Sequence, residues 1–324
     1  MTSEEKLFLG VDTSNYTTSL ALVRNGEVVA NIRRLLPVEK GACGLRQSDA
    51  VFLHTKALPE LAGELFTGTG YDPEVLCGVG VSVKPRDADG SYMPCFLAGL
   101  SFASAVSLAG RVPLYSFSHQ SGHIMAGIHS SGVPEVFTND FLSYHVSGGT
   151  TEALAVHPDG HTFSVSIVGG TKDASAGQII DRAGVRLGLS FPCGKALDEL
   201  SEKSAHKLPR CVCGRDGGYF SLSGLQNKFE AYLAAGENAA DCAAFLFESI
   251  ARTLEGSIKA LRDSDPQKPV LLAGGVMSNK LIRKRLSAIP QVYFASRELS
   301  SDNAVGVALL ASRAFEEDST KGAL

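Results

Sequence analysis

The sequence predicts an α/β protein of two similar domains with a ligand cleft between them, and three observations support this. Residues 7–29 and 141–165 share one order of strand, small polar turn, strand, glycine-containing turn and strand. Each copy is followed by segments whose hydrophobic periodicity indicates helix, strand and helix. With 324 residues, 44% of them hydrophobic, the chain is long enough to form two domains.

The first copy begins with apolar residues on both sides of a polar turn at 12–15 and continues through Asn25-Gly26, a dipeptide typical of tight hairpins. This pattern predicts an antiparallel meander, and the second copy, with its turn at 147–150, predicts another. Glycine and hydroxyl groups in such turns can donate hydrogen bonds to phosphate oxygens. Either turn alone is compatible with an ordinary hairpin, whereas their repetition favours a nucleotide clamp.

The remaining segments alternate between helix and strand. The periodicity predicts helices over 49–66, 93–109, 239–261 and 300–315 and a buried strand over 75–81. A third glycine turn, Gly274-Gly275, joins a strand to a basic helix and places Asn279 where it can read the edge of an adenine. We expect a first domain of residues 1–118 plus the C-terminal helix 300–317, and a second of residues 119–299 with an insert around 207–218.

Charge and cysteine content restrict the location and the partners. Thirty basic and 34 acidic residues give a net charge of −4, so an RNA partner must meet a local basic patch or a second protein. No apolar stretch reaches the roughly 20 residues that a membrane span needs, and no basic leader precedes the first strand. The seven cysteines are scattered and odd in number, which does not indicate a disulfide framework. The expected location is the cytoplasm.

His119 and His123 are spaced to lie on one face of a helix, where both imidazoles can hold one metal ion. The best third ligand is Asp302, which stands before an apolar helical run. On spacing alone, a histidine pair on an ordinary helix is the simpler interpretation, because two ligands do not make a site.

These and several other stretches together resemble one family. The residues that carry the resemblance are Gly10-Val11-Asp12-Thr13-Ser14, His119 and His123, 146–151, 173–181, 192–194, 220–225, Gly274-Gly275-Val276 with Asn279, and 301–303. They resemble the tRNA N6-adenosine threonylcarbamoyltransferases, also called O-sialoglycoprotein endopeptidases, which share the fold of actin and sugar kinases. The match spans nearly the whole chain and suggests a divergent bacterial paralogue.

The resemblance implies a role for each matching position. His119, His123 and Asp302 would hold an iron or zinc ion. Asp181 and Asp198 would hold ribose hydroxyls, and Asn279 would lie near the nucleotide. The positions that would border a threonylcarbamoyl-adenylate through the turn or the backbone are His145, Val146, Ser147, Gly148, Gly149 and Gly194. Without the family pattern, Asp181 and Asp198 are ordinary solvated carboxylates of amphipathic helices.

Three departures from the family pattern concern proton handling. An acidic pair that follows the first turn in the family is replaced by Asn15-Tyr16-Thr17. The family's histidine after Ser-Gly-Gly is Thr150, and the stretch 169–174 keeps one of three acids. Asp12 is the first candidate for a substitute catalytic group, ahead of the acids in the loop 84–90.

The first hypothesis is a metal-dependent transfer of a threonylcarbamoyl group from threonylcarbamoyl-AMP to N6 of an adenosine beside the tRNA anticodon, or a closely related carbamoyl-adenylate transfer. The alternative is a nucleotide-binding partner or regulatory subunit with low activity, favoured by the missing acidic pair. A homodimer or a heterodimer with a related subunit is expected in either case. A zinc peptidase is disfavoured because Gln120 stands where such enzymes place a glutamate base.

Overall fold

The computed structural model describes residues 5–14, 16–37, 45–209, 211 and 213–321. Asn15, which belongs to the altered turn, and Arg210 and Val212, which belong to the predicted insert, lie outside these residues. Within the described part of the chain, none of the helices combines the length and the apolar character that crossing a bilayer requires.

The first sheet has five strands in the order β3-β2-β1-β4-β5. Its strands are β1 (Leu7–Asp12), β2 (Thr17–Arg24), β3 (Glu27–Leu35), β4 (Leu76–Lys84) and β5 (Leu114–Ser118). The pairs β1–β2 and β2–β3 are antiparallel, and β4 and β5 continue in parallel from β1. Asn25 and Gly26 adopt positive φ angles of 51° and 81°, so the predicted Asn-Gly hairpin is confirmed.

The second sheet has seven strands in the order β12-β11-β6-β7-β8-β10-β9. Its strands are β6 (Phe141–Val146), β7 (Thr151–Asp159), β8 (Thr162–Thr171), β9 (Arg215–Asp216), β10 (Tyr219–Phe220), β11 (Val270–Ala273) and β12 (Val292–Phe294). The run β8-β7-β6-β11-β12 repeats the order of the first sheet. The internal repeat predicted from the sequence is therefore confirmed.

Helices cover both sheets. They are α1 (Gln47–Thr69), α2 (Phe96–Gly110), α3 (His119–Ser130), α4 (Ala176–Arg186), α5 (Gly194–Ser201), α6 (Ser223–Ala234), α7 (Ala239–Leu261), α8 (Lys280–Leu286) and α9 (Val305–Lys321). The helix predicted over 239–261 has the predicted bounds, and Asn238 caps its first turn through the N–H of Ala240.

The predicted start of the last helix at residue 300 is wrong, since α9 begins at Val305. Polar side chains hold the preceding residues in turns. Ser300 Oγ donates to the carbonyl of Ser296, and Asn303 Oδ1 accepts the N–H of Val305. Such local hydrogen bonds compete with helix formation.

The chain divides into two compact units. Unit 1 comprises residues 1–129, 158–164 and 301–324, and unit 2 comprises residues 130–157 and 165–300. Helix α3 thus groups with unit 1, and the domain boundaries near 118 and 299 stay a prediction. Each unit has its own apolar core, built on β1, β2 and β4 in unit 1 and on β6, β11 and α7 in unit 2.

Candidate metal centre and nucleotide pocket

Helix α3 carries both predicted histidine ligands on one face. Strand β5 ends at Ser118, whose Oγ accepts the N–H of Ser121 at 3.1 Å and caps the helix. The i, i+4 spacing brings the rings of His119 and His123 to a centroid distance of 4.3 Å. Both side chains are mostly buried, with exposed fractions of 17% and 13%.

Asp302 joins them from the turn before α9. Its Oδ1 lies 3.2 Å from His123 Nε2 and 3.5 Å from His119 Nε2. One ligand atom from each of the three residues lies within 4.8 Å of the others. The three side chains that the sequence predicts as metal ligands are therefore brought together, in unit 1.

A close backbone approach makes this meeting possible. A Cβ atom on Gly306, in the first turn of α9, would lie 1.8 Å from the carbonyl oxygen of Gly122 in α3. No residue with a side chain fits there without a backbone shift. Gly122 and Gly306 thus let the start of α9 touch α3 beside the histidines.

Asp12, at the end of β1, is a second carboxylate in the cluster. It is 1% exposed, and its Oδ2 lies 2.8 Å from His119 Nδ1. Ser82 Oγ donates to the same oxygen at 2.7 Å, while the N–H and Oγ of Ser14 donate to Oδ1 at 2.9 and 2.5 Å. Because a carboxylate only accepts hydrogen bonds, His119 Nδ1 carries its proton and Nε2 faces Asp302.

The charges of this cluster shift the pKa values of its members. Burial disfavours the imidazolium form of His119, but the charges and hydrogen bonds of Asp12 and Asp302 outweigh it and raise the pKa of His119 to about 10. Burial also opposes ionisation of Asp302, yet its contacts with the two histidines hold its pKa far below the usual range. The two carboxylates are ionised, and a metal ion competes here with a proton.

The residues present fit a divalent transition metal. Two imidazole nitrogens and one carboxylate oxygen are a donor set that suits iron or zinc and leaves other coordination positions open. The contact between His119 and Asp12 is the usual support for a metal-binding histidine, which donates its other ring N–H to a carboxylate.

A pocket of about 250 Å³ lies in unit 2 and contains five of the predicted nucleotide-binding residues. Those five are Gly148, Asp181, Gly194, Asp198 and Asn279. The pocket is also lined by Gly177, Ile180, Pro192, Lys195, Phe247, Gly275, Val276, Ser278 and Arg297. His145, Val146, Ser147 and Gly149 are not among these described lining residues.

The two carboxylates of the pocket are fixed by different partners. Asp181 Oδ1 accepts the N–H of Cys193 at 2.8 Å. Asp198 Oδ1 accepts from Asn279 Nδ2 at 2.5 Å, and Asn279 Oδ1 caps α8 through the N–H of Ile282. Burial raises the pKa of Asp198. Asp198 Oδ2 also accepts the N–H of Lys280 at 3.4 Å. Since a carboxylate oxygen can accept more than one hydrogen bond, Oδ2 of either residue can still accept one from a hydroxyl group.

The turn after β6 is held against the start of α4. Ser175 Oγ donates to the carbonyl of Gly148 at 2.6 Å, and the N–H of Gly177 donates to the carbonyl of Ser147. Ser175 and Gln178 form a capping box at the same helix end. The predicted glycine turn therefore contributes Gly148 to the pocket at a helix N-terminus, where anions are favoured.

Sequence reasoning missed Lys195 and Arg297, the two cationic residues of the pocket. Lys195 follows the matched Pro192-Cys193-Gly194 motif, and this position was the available signal. Arg297 lies in an irregular segment after β12, so its place in the pocket depends on the fold of unit 2 alone.

Comparison with known proteins bears on what these two sites do. The model of the TsaD family, described as tRNA N6-adenosine threonylcarbamoyltransferase, matches residues 41–309. The chain belongs to this family. The member from Thermus thermophilus is 33% identical over 310 residues, which cover 94% of this chain and 92% of that protein. The member from Enterococcus faecalis is 31% identical over 296 residues, covering 88% and 81%.

Solved structures of more distant proteins show the fold. The activator of 2-hydroxyisocaproyl-CoA dehydratase from Clostridium difficile, solved with bound ADPNP, has a TM-score of 0.54 at 15% identity and covers 98% of this chain and 97% of its own. HypF from T. kodakarensis reaches 0.61 at 14% identity, covering 97% of this chain and 48% of its own. A glucokinase from Streptomyces griseus reaches 0.50 at 15% identity, covering 95% and 99%. The predicted actin-like and sugar-kinase-like fold class is confirmed.

Proposed function

We propose that this chain transfers the threonylcarbamoyl group of threonylcarbamoyl-AMP to N6 of an adenosine beside the tRNA anticodon. Membership of the family supports the reaction, and relatives about a third identical over most of their length are named for it. The observation that carries the proposal is the cluster of His119, His123 and Asp302, whose ligand atoms lie within 4.8 Å of one another. A group-transfer enzyme has a use for such an open metal site.

The metal ion, iron or zinc, would be held by His119 Nε2, His123 Nε2 and Asp302. When bound, it supplies Lewis-acid chemistry and an anchor for the threonylcarbamoyl group. Asp12 would affect metal binding indirectly, because it accepts a hydrogen bond from His119 Nδ1 at 2.8 Å and so fixes the orientation of the imidazole ring. The four donors around Asp12 support a positioning role for this carboxylate rather than the role of a free proton acceptor.

The adenylate would lie in the pocket of unit 2. The second oxygens of Asp181 and Asp198 would accept from the ribose hydroxyls, and the glycine turn would approach the ligand at Gly148. Lys195 and Arg297 add positive charge on the walls of the same pocket, which favours an anionic ligand.

In the reaction, the N6 amine of adenosine forms a bond to the carbamoyl carbon, the bond from that carbon to the phosphate oxygen breaks, and AMP leaves with the electron pair. The amine loses a proton. An adenine amine is a poor nucleophile, so orienting both substrates supplies a large share of the rate. The tRNA partner, a dimeric assembly with a related subunit and a cytoplasmic location belong to this proposal.

The alternative is a partner subunit that binds nucleotide and turns over little, and one observation favours it. The residues after the first turn that can be described are Tyr16, which is 39% exposed, and Thr17, which opens β2. Neither is an acid. The family's acidic pair therefore has no replacement at these positions.

The test is a transfer assay with threonylcarbamoyl-AMP, unmodified tRNA and metal-loaded protein, together with measurement of bound metal. His119→Ala should lose both the stoichiometric metal and the transfer. His129→Ala, which changes a histidine at the other end of the same helix, is the matched control and should keep both. Asp181→Asn should weaken adenylate binding while metal stays bound, because the pocket and the cluster lie in different units.

Each outcome has one meaning. Metal in His119→Ala at the wild-type amount would overturn the metal assignment. Wild-type protein that binds metal and adenylate yet transfers nothing, alone or mixed with a related family subunit, would overturn the enzyme proposal in favour of the partner subunit.

A further inference from the structure

Unit 2 contains a second and larger pocket, of about 600 Å³, that the proposed reaction does not use. It lies between helix α7, helix α8 and the segment before β10. Its lining residues are Cys211, Cys213, Gly214, Arg215, Arg252, Thr253, Glu255, Gly256, Lys259 and Arg285. None of them lines the nucleotide pocket. Its volume is in the range of pockets that bind small molecules.

Positive charge dominates this pocket. Four of its lining side chains are cationic. Three of these cations form ion pairs with two carboxylates, Glu255 of the lining and the neighbouring Glu248. Arg285 binds both, with Nη1 at 2.9 Å from Glu248 and Nη2 at 2.6 Å from Glu255. Arg252 also binds Glu248, and Lys259 binds Glu255. Two positive charges remain in excess.

The guanidinium group of Arg215 has neither a hydrogen bond nor an ion pair with another described residue. Its Nη1 lies only 2.0 Å from the position that a Cβ atom on Gly256 would take. Gly256 stands inside the 23-residue helix α7, where glycine is an unfavourable residue. The missing side chain leaves the space in which Arg215 lies against the helix at the pocket wall.

Arg252 also retains an unused donor. Its Nε is shielded from solvent, and no described residue accepts its hydrogen bond. Because the surrounding atoms already shield Nε, a ligand in the pocket would meet the exposed guanidinium group of Arg215 instead. The thiol of Cys213, another lining residue, does not repel an anion, because burial raises the pKa of this thiol to about 11 and keeps it neutral.

We propose that this pocket binds the phosphate group of a small phosphorylated ligand, with the guanidinium group of Arg215 as its main contact. A phosphomonoester carries about 1.5 to 2 negative charges near neutral pH, which matches the excess of two cations. Arginine forks fit phosphate oxygens through paired hydrogen bonds. This site is distinct from the proposed adenylate site, since the two pockets share no described lining residue.

The experiment is calorimetric titration of inorganic phosphate and of glycerol phosphate into the full chain, with tRNA as a separate arm. Arg215→Ala and Gly256→Ala should each weaken phosphate binding about tenfold or more, since each removes a charge-assisted contact. In Gly256→Ala the new methyl group displaces Arg215 while alanine favours the helix, so the melting temperature should not fall.

The matched controls are Gly63→Ala and Arg186→Ala. Gly63 lies inside α1 with nothing near its Cβ position, and Arg186 is an exposed arginine of unit 2 paired with Glu230. Both should bind phosphate like the wild type. Unchanged affinity in Arg215→Ala and Gly256→Ala, or no phosphate binding by the wild type, would overturn the proposal. Arg215-dependent binding of tRNA without binding of either small probe would also overturn it, in favour of an RNA contact.

Discussion

Four donor groups surround the buried carboxylate of Asp12: the N–H and Oγ of Ser14, Ser82 Oγ and the Nδ1–H of His119. Burial alone would favour its neutral form. The contacts with His119 and Ser14 nevertheless lower the pKa of Asp12, so it is ionised at neutral pH. An ionised partner behind a histidine makes the metal-facing nitrogen more basic and holds the ring in place.

Asp12→Asn should therefore weaken metal binding without unfolding the protein. An amide oxygen still accepts from His119, but the negative charge is lost, and such changes behind a metal ligand typically cost about 10- to 100-fold in affinity. Competition with a chelator measures this. Asp89→Asn, in an exposed part of the loop 84–90, is the control. Equal affinities in the wild type and Asp12→Asn would show that Asp12 does not support the metal.

At the scale of secondary-structure elements, Asp173 connects a strand to a helix. It is the one acid that remains in the segment 169–174, where the family pattern has three. Asp173 follows β8 and lies at the start of α6, where Oδ1 accepts the N–H of Leu222 at 2.8 Å and Oδ2 that of Ser223 at 3.1 Å. Burial is the largest single influence and raises the pKa of Asp173, but the hydrogen bonds from the Ser223 side chain and from these two N–H groups together outweigh it and lower the pKa. Asp173 thus links the end of β8 to the start of α6.

Asp173→Asn should reduce the free energy of unfolding near pH 7 by about 1 kcal/mol, toward the lower range of helix-cap effects because the side chain is exposed. The folded-state pKa lies below the unfolded value of about 3.9. The contribution of ionised Asp173 to the free energy of unfolding is therefore fully present above the unfolded-state pKa, and it is lost as the pH falls through the folded-state pKa.

Urea denaturation at pH 7 and at pH 3 measures the effect. The difference between Asp173→Asn and the wild type should narrow at the lower pH. Asp216→Asn, which changes an exposed acid of the neighbouring strand β9, should alter neither value by more than a few tenths of a kcal/mol. A constant difference at both pH values would contradict the assigned role.

At the scale of the whole molecule, one strand order occurs twice: β3-β2-β1-β4-β5 in unit 1 and β8-β7-β6-β11-β12 in unit 2. The two units share this frame but differ in the side-chain clusters and pockets that they contain. Unit 1 contains the histidines and carboxylates of the candidate metal site, and unit 2 contains both described pockets.

The packing of α9 into unit 1 gives a prediction at this scale. Gly306→Ala would press a methyl group against the carbonyl of Gly122, and overpacking of this kind typically costs about 1 to 3 kcal/mol. The same shift would separate Asp302 from His123. We expect a lower melting temperature together with weaker metal binding, measured by thermal denaturation and chelator competition. Gly63→Ala, where the added methyl group meets open space, should lower neither the melting temperature nor the metal affinity. Normal metal affinity in Gly306→Ala would show that the metal ligands do not depend on the contact between Gly122 and Gly306.

The sequence by itself determined the features that depend on local pattern. Alternating apolar residues and the Asn25-Gly26 turn predict the meander, helical periodicity predicts α7 with its bounds, and spacing places His119 and His123 on one face. These features follow from interactions between residues close in the chain, which the sequence displays directly. The family motifs extended this to Asp302 and to the acidic residues of the pocket.

Only the tertiary structure decided the rest, because it depends on residues far apart in the chain. The role of Asp12 depends on its hydrogen bond with His119, which is 107 residues away in the chain. The packing of α9 against α3 depends on the close approach of Gly122 and Gly306. Arg215 and Gly256 form the wall of the larger pocket although neither belongs to a motif. The amino-acid composition and the hydrophobic periodicity of a sequence do not show such contacts, because only long-range packing brings these groups together. The same packing sets their protonation states and decides which of them can still bind a ligand.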